Sequence, residues 1–201
     1  MKIFLSWSGD SSKQIAEAFR DWLPAVIQAV KPFFPPDDIE KGTRWSSEIA
    51  SELEESQIGL LCLTRENVLS PWIMFEAGVL SKSIEKSKVI PMLFGLEPSD
   101  IRGPLLQFQA AVFREGEVRK LVKTINSSLG EGALSDAVIE AVFEKWWPDL
   151  EKKISKILRD NKRQNLDEIR KILEELLVLA RGNAFRSEQA KESEFYSIEI
   201  S

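Results

Sequence analysis

Apolar positions along this chain switch repeatedly between strand-like runs and helical spacing. Lys2 to Trp7 is a short β-prone run, followed by Gly9-Asp10-Ser11-Ser12, a turn offering several helix N-caps. Ile15, Phe19, Trp22, Leu23, Val26, Ile27 and Val30 then recur at helical spacing, and Pro24 predicts a kink or break near Leu23. A short, proline-bearing strand is expected around Pro32 to Pro35, then a polar Gly-containing loop from Asp37 to Ser46 and a helix from Ser47 to Ser56. Ile58 to Thr64 is almost uniformly apolar, as a central parallel strand buried on both faces should be. Ser70 and Pro71 suit the start of a helix running to about Glu85. Lys88 to Phe94 reads as a strand in which Pro91 limits pairing on one side. Gly95 to Gln107 is a loop with one helical turn, and Phe108 to Phe113 a last short strand. Helices follow over Gly116 to Ser127 and from Ser135 to about Asp160.

Strands alternating with helices in this order predict a flavodoxin-like, doubly wound parallel α/β sheet of five strands in the order 2-1-3-4-5. Ligands of such sheets sit at the carboxyl ends of the strands, where the strand order reverses. That edge should gather Trp7-Ser8-Gly9, the 37–46 loop, and Arg65 to Ser70 with the helix that follows. The α/β domain is expected over residues 1–150, a C-terminal helical extension over 151–182, and a mobile tail over 183–201. In the extension, Leu166, Ile169, Ile172, Leu173, Leu176, Leu177 and Leu179 write an amphipathic helix over Gln164–Leu179. With roughly two heptads of pattern, it fits either a helix packed on its own domain or a partner or self-association surface. Phe195-Tyr196-Ser197-Ile198 could form a weak strand or docking tail.

Composition narrows the chemistry. A net charge of −5 over 201 residues argues against nucleic acid as the main partner. No apolar run approaches the ~20 residues of a membrane-spanning helix. The apolar part of Met-Lys-Ile-Phe-Leu-Ser-Trp-Ser is too short for a signal peptide, so a cytoplasmic protein is expected. The chain has no histidine, which removes His-dependent triads, imidazole acid–base catalysis and most zinc sites, and no metal site is expected. The single cysteine, Cys62, lies in an apolar strand and reads as a small core residue.

One carboxylate stands apart. Between Ser70 and Leu80, Glu76 is the only charged side chain, and its helical neighbours are Trp72, Ile73, Val79 and Leu80. A carboxylate so placed is poorly solvated unless a partner or a cleft meets it, and such groups are usually paired or functional.

These segments together resemble bacterial Toll/interleukin-1 receptor (TIR) domains over about residues 1 to 150. Lys2-Ile3-Phe4-Leu5-Ser6-Trp7-Ser8 looks like the family's opening box. The run from Asp38 through Lys41-Gly42-Thr43-Arg44-Trp45 to Ile49 is similar to its BB loop. Leu53, Ser56 and the strand Ile58 to Thr64 continue the match, and Ser70-Pro71-Trp72 with Phe75-Glu76 occupies the place of its Ser-x-Trp-x-x-x-Glu segment. The proline-rich second strand and the short loop between strands four and five depart from the pattern. Enzymatic members cleave the nicotinamide–ribose bond of NAD with a glutamate at this helix position. The resemblance therefore implies a catalytic Glu76, with substrate contacts from Trp7, Ser8, Lys41, Gly42, Trp45 and Trp72. NAD is then the substrate and no cofactor is needed. The products would be nicotinamide with ADP-ribose or a cyclic isomer. The family context implies bacterial anti-phage defence signalling, a sensor or effector partner, and self-association through the 37–46 loop.

Those residue types suit the reaction. Nicotinamide leaves as a neutral base from a cationic precursor, so no acid need protonate it. The oxocarbenium-like ribose left behind can be stabilised by one nearby carboxylate. Trp7 and Trp45 offer faces for ring stacking, and Lys41 and Arg44, with backbone N–H groups near Gly9 and Gly42, could offset the pyrophosphate charge. Each role has a plainer counterpart. Glu76 could pair with a neighbouring base, Trp45 could pack on the following helix, Trp7 could be a rim aromatic, Lys41 and Arg44 a solvated face, and Ser8 an N-cap. The alternative from another class is a non-catalytic TIR scaffold assembling through the 37–46 loop. A deoxyribosyltransferase-like enzyme is a third reading. A phosphoacceptor receiver is disfavoured, because strand one ends in Trp-Ser and strand three in Thr64-Arg65.

Overall fold

Six consecutive residues without a charge, Ile58–Leu63, form β3, and every one of them is buried. Such a strand can exist only between two others. The computed structural model places β1 (Lys2–Ser6) on one side of it and β4 (Lys88–Leu93) on the other, both parallel. It describes residues 1–34, 55–70 and 88–198, with side chains to residue 180. The loop expected at 37–46 and the helix expected over 70–85 fall outside these, as does nearly all of the helix expected over 47–56.

β2 (Lys31–Phe33) flanks β1 and β5 (Ala111–Val112) flanks β4, giving an all-parallel sheet in the order β2-β1-β3-β4-β5. This is the predicted order. The registers pair Ile3 with Pro32, Leu5 with Leu60, and Leu60 with Ile90. β4 pairs with β3 along its whole length but with β5 only at Met92 and Leu93. Pro91 thus limits pairing on the β5 side, as its missing N–H requires.

Alternation splits the strands between two cores. Ile3 and Leu5, Ile58, Leu60 and Cys62, and Met92 and Phe94 bury into one. Phe4, Leu61, Leu63 and Leu93 bury into the other, with Val68, Leu96, Ile101 and Leu105. Among the described residues, three helices cover the first face. α1 (Asp10–Val26) contributes Ile15, Phe19, Trp22 and Leu23, and α2 (Glu115–Ser127) contributes Val118, Leu121, Val122 and Ile125. α3 (Asp136–Ile198) contributes Ile139, Phe143, Trp147, Leu150 and Ile154, spaced for one helical stripe.

Two helix boundaries differ from expectation. α1 carries Pro24 in its last turn instead of breaking at Leu23. There the missing N–H interrupts little, because the helix ends at Val26 and the Ile27 N–H donates to Leu23 O at 2.9 Å. α3 continues past Asp160 to Ile198, so Phe195 to Ile198 is helical and not a strand. The chain divides into two compact units, Met1–Leu158 and Arg159–Ser201.

α2 is fastened to α3 by charge. Arg119 pairs with Glu140 and Glu115 and lies 4.5 Å over the Phe143 ring, while Lys123 Nζ reaches Glu140 at 2.5 Å. Glu140 is held below the usual carboxylate range by its hydrogen bond with Lys123 and then that with Arg119.

Candidate functional site

The strand order reverses between β1 and β3, so the carboxyl edge of these two strands is where a ligand crevice belongs. β1 delivers Trp7 and Ser8 to that edge, and β3 delivers Thr64 and the turn that ends at Ser70. The two loops meet there: Ser8 Oγ lies 3.5 Å from Ser70 Oγ. Ser8 is not the helix cap that its position could have made it. Gly9 takes that place, and the Ser8 N–H donates to Ser12 Oγ at 3.3 Å.

Beyond the backbone bond from the Phe94 N–H to Leu63 O at 2.8 Å, the end of β3 is fixed by side chains. Both the Ser12 hydroxyl and the Asn67 amide donate to Cys62 O, at 2.8 and 2.9 Å, and Asn67 Oδ1 accepts from the Thr64 N–H at 2.8 Å. These bonds satisfy buried backbone groups that the end of a strand would leave open. Two polar atoms at this edge are not satisfied. Among the described residues, Trp7 Nε1 and Thr64 Oγ1 are buried without a hydrogen-bond partner.

Trp7 does not stand as a free aromatic face. Its ring stacks on Phe34 at 5.3 Å and 17°, and Lys13 Nζ sits 5.7 Å over it. The N-terminus of α1 is occupied as well. Ser11 Oγ donates to Glu66 Oε1 at 3.0 Å, and a Cβ on Gly9 would stand 3.4 Å from Glu66 Oε2. A carboxylate here complements the helix dipole. It also fills the place that a pyrophosphate at Gly9 would need, so an anion at this helix end would have to displace Glu66.

The contacts of Glu66, Ser11, Ser12 and Asn67 are what sequence reasoning missed, although it placed the Arg65 to Ser70 turn at this edge. Ser11 and Ser12 signal a helix start, but nothing in the pattern shows that both side chains reach across to β3 and its loop. Beside this edge, Arg65, Val68, Leu69, Leu96, Asp100 and Arg102 line a depression of about 340 Å³. Arg65 Nε donates to Gly95 O at 3.2 Å, tying the loops after β3 and β4.

The remaining predicted site residues, Lys41, Gly42, Trp45, Trp72 and Glu76, lie outside the described residues, as does Arg44. Among the described residues, no group of three or more His, Cys, Asp or Glu side chains is placed to hold a metal ion. No described helix is long and apolar enough to cross a membrane. The Cys62 thiol is fully buried, and burial pushes its pKa far up, which removes it as a nucleophile.

A family model described as "TIR domain" matches residues 3–125 of the chain. Fourteen chains of solved structures match. One belongs to the TIR domains of the activated Roq1 resistosome directly recognizing the pathogen effector XopQ. It is 19% identical, with a TM-score of 0.42, and the match covers 79% of this chain and 98% of that one. No curated protein matches.

Proposed function

The chain belongs to the TIR-domain family, and from that premise we propose that it cleaves the nicotinamide–ribose bond of NAD with Glu76 as the catalytic carboxylate. The meeting of Ser8 and Ser70 carries this reading. It joins the loop after β1 to the residue from which the Glu76 segment departs, at the point where the strand order reverses.

The bond between the ribose anomeric carbon and the pyridinium nitrogen breaks with both electrons going to nicotinamide, which leaves neutral. Glu76 stabilises the positive charge that develops on the ribose. Water then attacks the anomeric carbon and loses a proton to give ADP-ribose, or an adenine nitrogen or ribose hydroxyl attacks to close a cyclic isomer. Trp7, Ser8, Lys41, Gly42, Trp45 and Trp72 line the substrate. Among the described residues, the Trp7 indole N–H and Thr64 hydroxyl lie buried and unpartnered at the same edge. NAD is the substrate, joined by water when ADP-ribose is the product, and the cytoplasm supplies both. The biological setting is anti-phage defence, with copies of the chain associating through the 37–46 loop and a sensor or effector protein acting on them.

Purified protein incubated with NAD, followed by mass spectrometry, tests the reading. Nicotinamide should appear together with ADP-ribose or a cyclic isomer, and Glu76→Gln and Glu76→Ala should abolish both. Concentrated, assembled protein that leaves NAD untouched would instead establish the scaffold.

A further inference from the structure

The carbonyl of Cys62 stands just past the point where β3 stops pairing with β1, at Ser6 and Leu61. Leu63 O, the next along, is taken by the Phe94 N–H on the β4 side. Successive carbonyls of an extended strand point to opposite sides, so Cys62 O faces the open end of β1. Two side chains take the place of the missing strand there. They are the Ser12 hydroxyl from α1 and the Asn67 amide, donating at 2.8 and 2.9 Å.

Asn67 does more than fill that gap. Its Oδ1 accepts from the Thr64 N–H at 2.8 Å, and its backbone O accepts from the Ser70 N–H at 2.8 Å. Thr64 O in turn accepts from the N–H groups of Asn67 and Val68, at 3.2 and 3.0 Å. The bonds close into a circuit. They run from the Ser8 N–H to Ser12 Oγ, on to Cys62 O, across to the Asn67 amide, and through Ser70 back to Ser8 Oγ. Asn67 uses a side-chain donor and a side-chain acceptor at once. An aspartate of the same shape has only acceptors when ionised, and a leucine has neither.

We infer that Asn67 is a positioning residue for NAD cleavage. It fixes the turn whose last residue, Ser70, stands six positions before Glu76. The inference rests on the Glu76 reading. Asn67 is 2% exposed and closed to substrate, so it acts only through the turn. A catalytic carboxylate displaced by about 1 Å loses transition-state stabilisation while the rest of the site still binds. The loss therefore falls on kcat and spares KM.

Steady-state kinetics and amide hydrogen exchange of the full chain test it. Asn67→Ala removes both side-chain bonds, and Asn67→Asp keeps the acceptor for the Thr64 N–H while losing the donor to Cys62 O. Each should lower kcat at least about tenfold with KM within about twofold of wild type. Trp22→Phe, which weakens the protein ten residues further along α1, should leave kcat and KM unchanged. Exchange over residues 64–70 should quicken in both Asn67 variants while β1 and β4 stay protected. In the wild type, the bonded amides of Thr64, Asn67, Val68 and Ser70 should exchange at least about a hundredfold slower than in an unfolded chain. That measurement decides the matter if neither variant folds. A wild type that leaves NAD untouched ends the Glu76 reading and this inference with it. An active wild type whose Asn67 variants keep kcat, whose loss falls on KM instead, or whose turn exchanges freely overturns this inference alone.

Discussion

The indole N–H of Trp22 in α1 donates to the backbone carbonyl of Trp146 in α3 at 2.8 Å, a bond that links residues 124 positions apart. Trp22 is 5% exposed and meets Phe143 edge-on at 6.1 Å, so its ring packs within an aromatic cluster. Trp22→Phe, which keeps most of the ring and loses the donor, should cost about 1 kcal/mol. Trp22→Ala should cost about 3–5 kcal/mol, because it also opens a cavity. Urea denaturation of the two variants separates these terms.

Gly9 combines φ +86° with an extended ψ of 163°, a conformation that side-chain-bearing residues rarely adopt. Gly9→Ala should lower stability by about 1–3 kcal/mol. Removing the nearby carboxylate with Glu66→Ala should not restore it, because the strain lies in the backbone. Thermal melts of the single and double variants check this.

Much of the sheet can be read from residue order because its signals are local and mutually consistent. Ile58 to Leu63 is apolar throughout and becomes the central strand, and Pro91 announces where pairing stops. The length of α3 is less legible. The polar run from Arg159 to Asn165 looks like a break, yet it contains neither Gly nor Pro, and polar residues alone do not end a helix. Trp7 and Ser8 can be placed at the ligand edge from topology. So can the turn that holds Glu66, but its contact cannot, since one glutamate in a polar turn carries no sign that Ser11 will reach it from 55 residues away.

Cys62 should be inert in the folded protein. Its thiol is buried in β3, and burial holds it protonated well beyond neutral pH. Ellman's reagent should report no reaction until denaturant unfolds the chain, and the labelling rate should then follow global unfolding.

Glu140 makes stability depend on acid. Its folded pKa lies below the ordinary glutamate value, so the folded state favours the ionised form. The contribution is present above the ordinary glutamate range and is lost as pH falls through the lowered folded value. Glu140→Gln should be less stable than wild type at neutral pH, and the two should converge under acid. Melting temperatures across an acid series test the sign.

Under the proposed activity, Glu76→Gln should lower NAD turnover by at least about 100-fold, the scale of losing one preorganised charge at a transition state. Nicotinamide release under saturating NAD, with the melting temperature as a folding control, measures it.

The sheet closes with a three-residue strand containing Pro32 at one margin and a two-residue strand at the other. Neither offers enough consecutive backbone donors and acceptors to template a neighbour's strand. At these described margins the β-structure has little means of propagating from molecule to molecule. Contacts made along these two described margins must therefore rest on side chains, where a single substitution can break them.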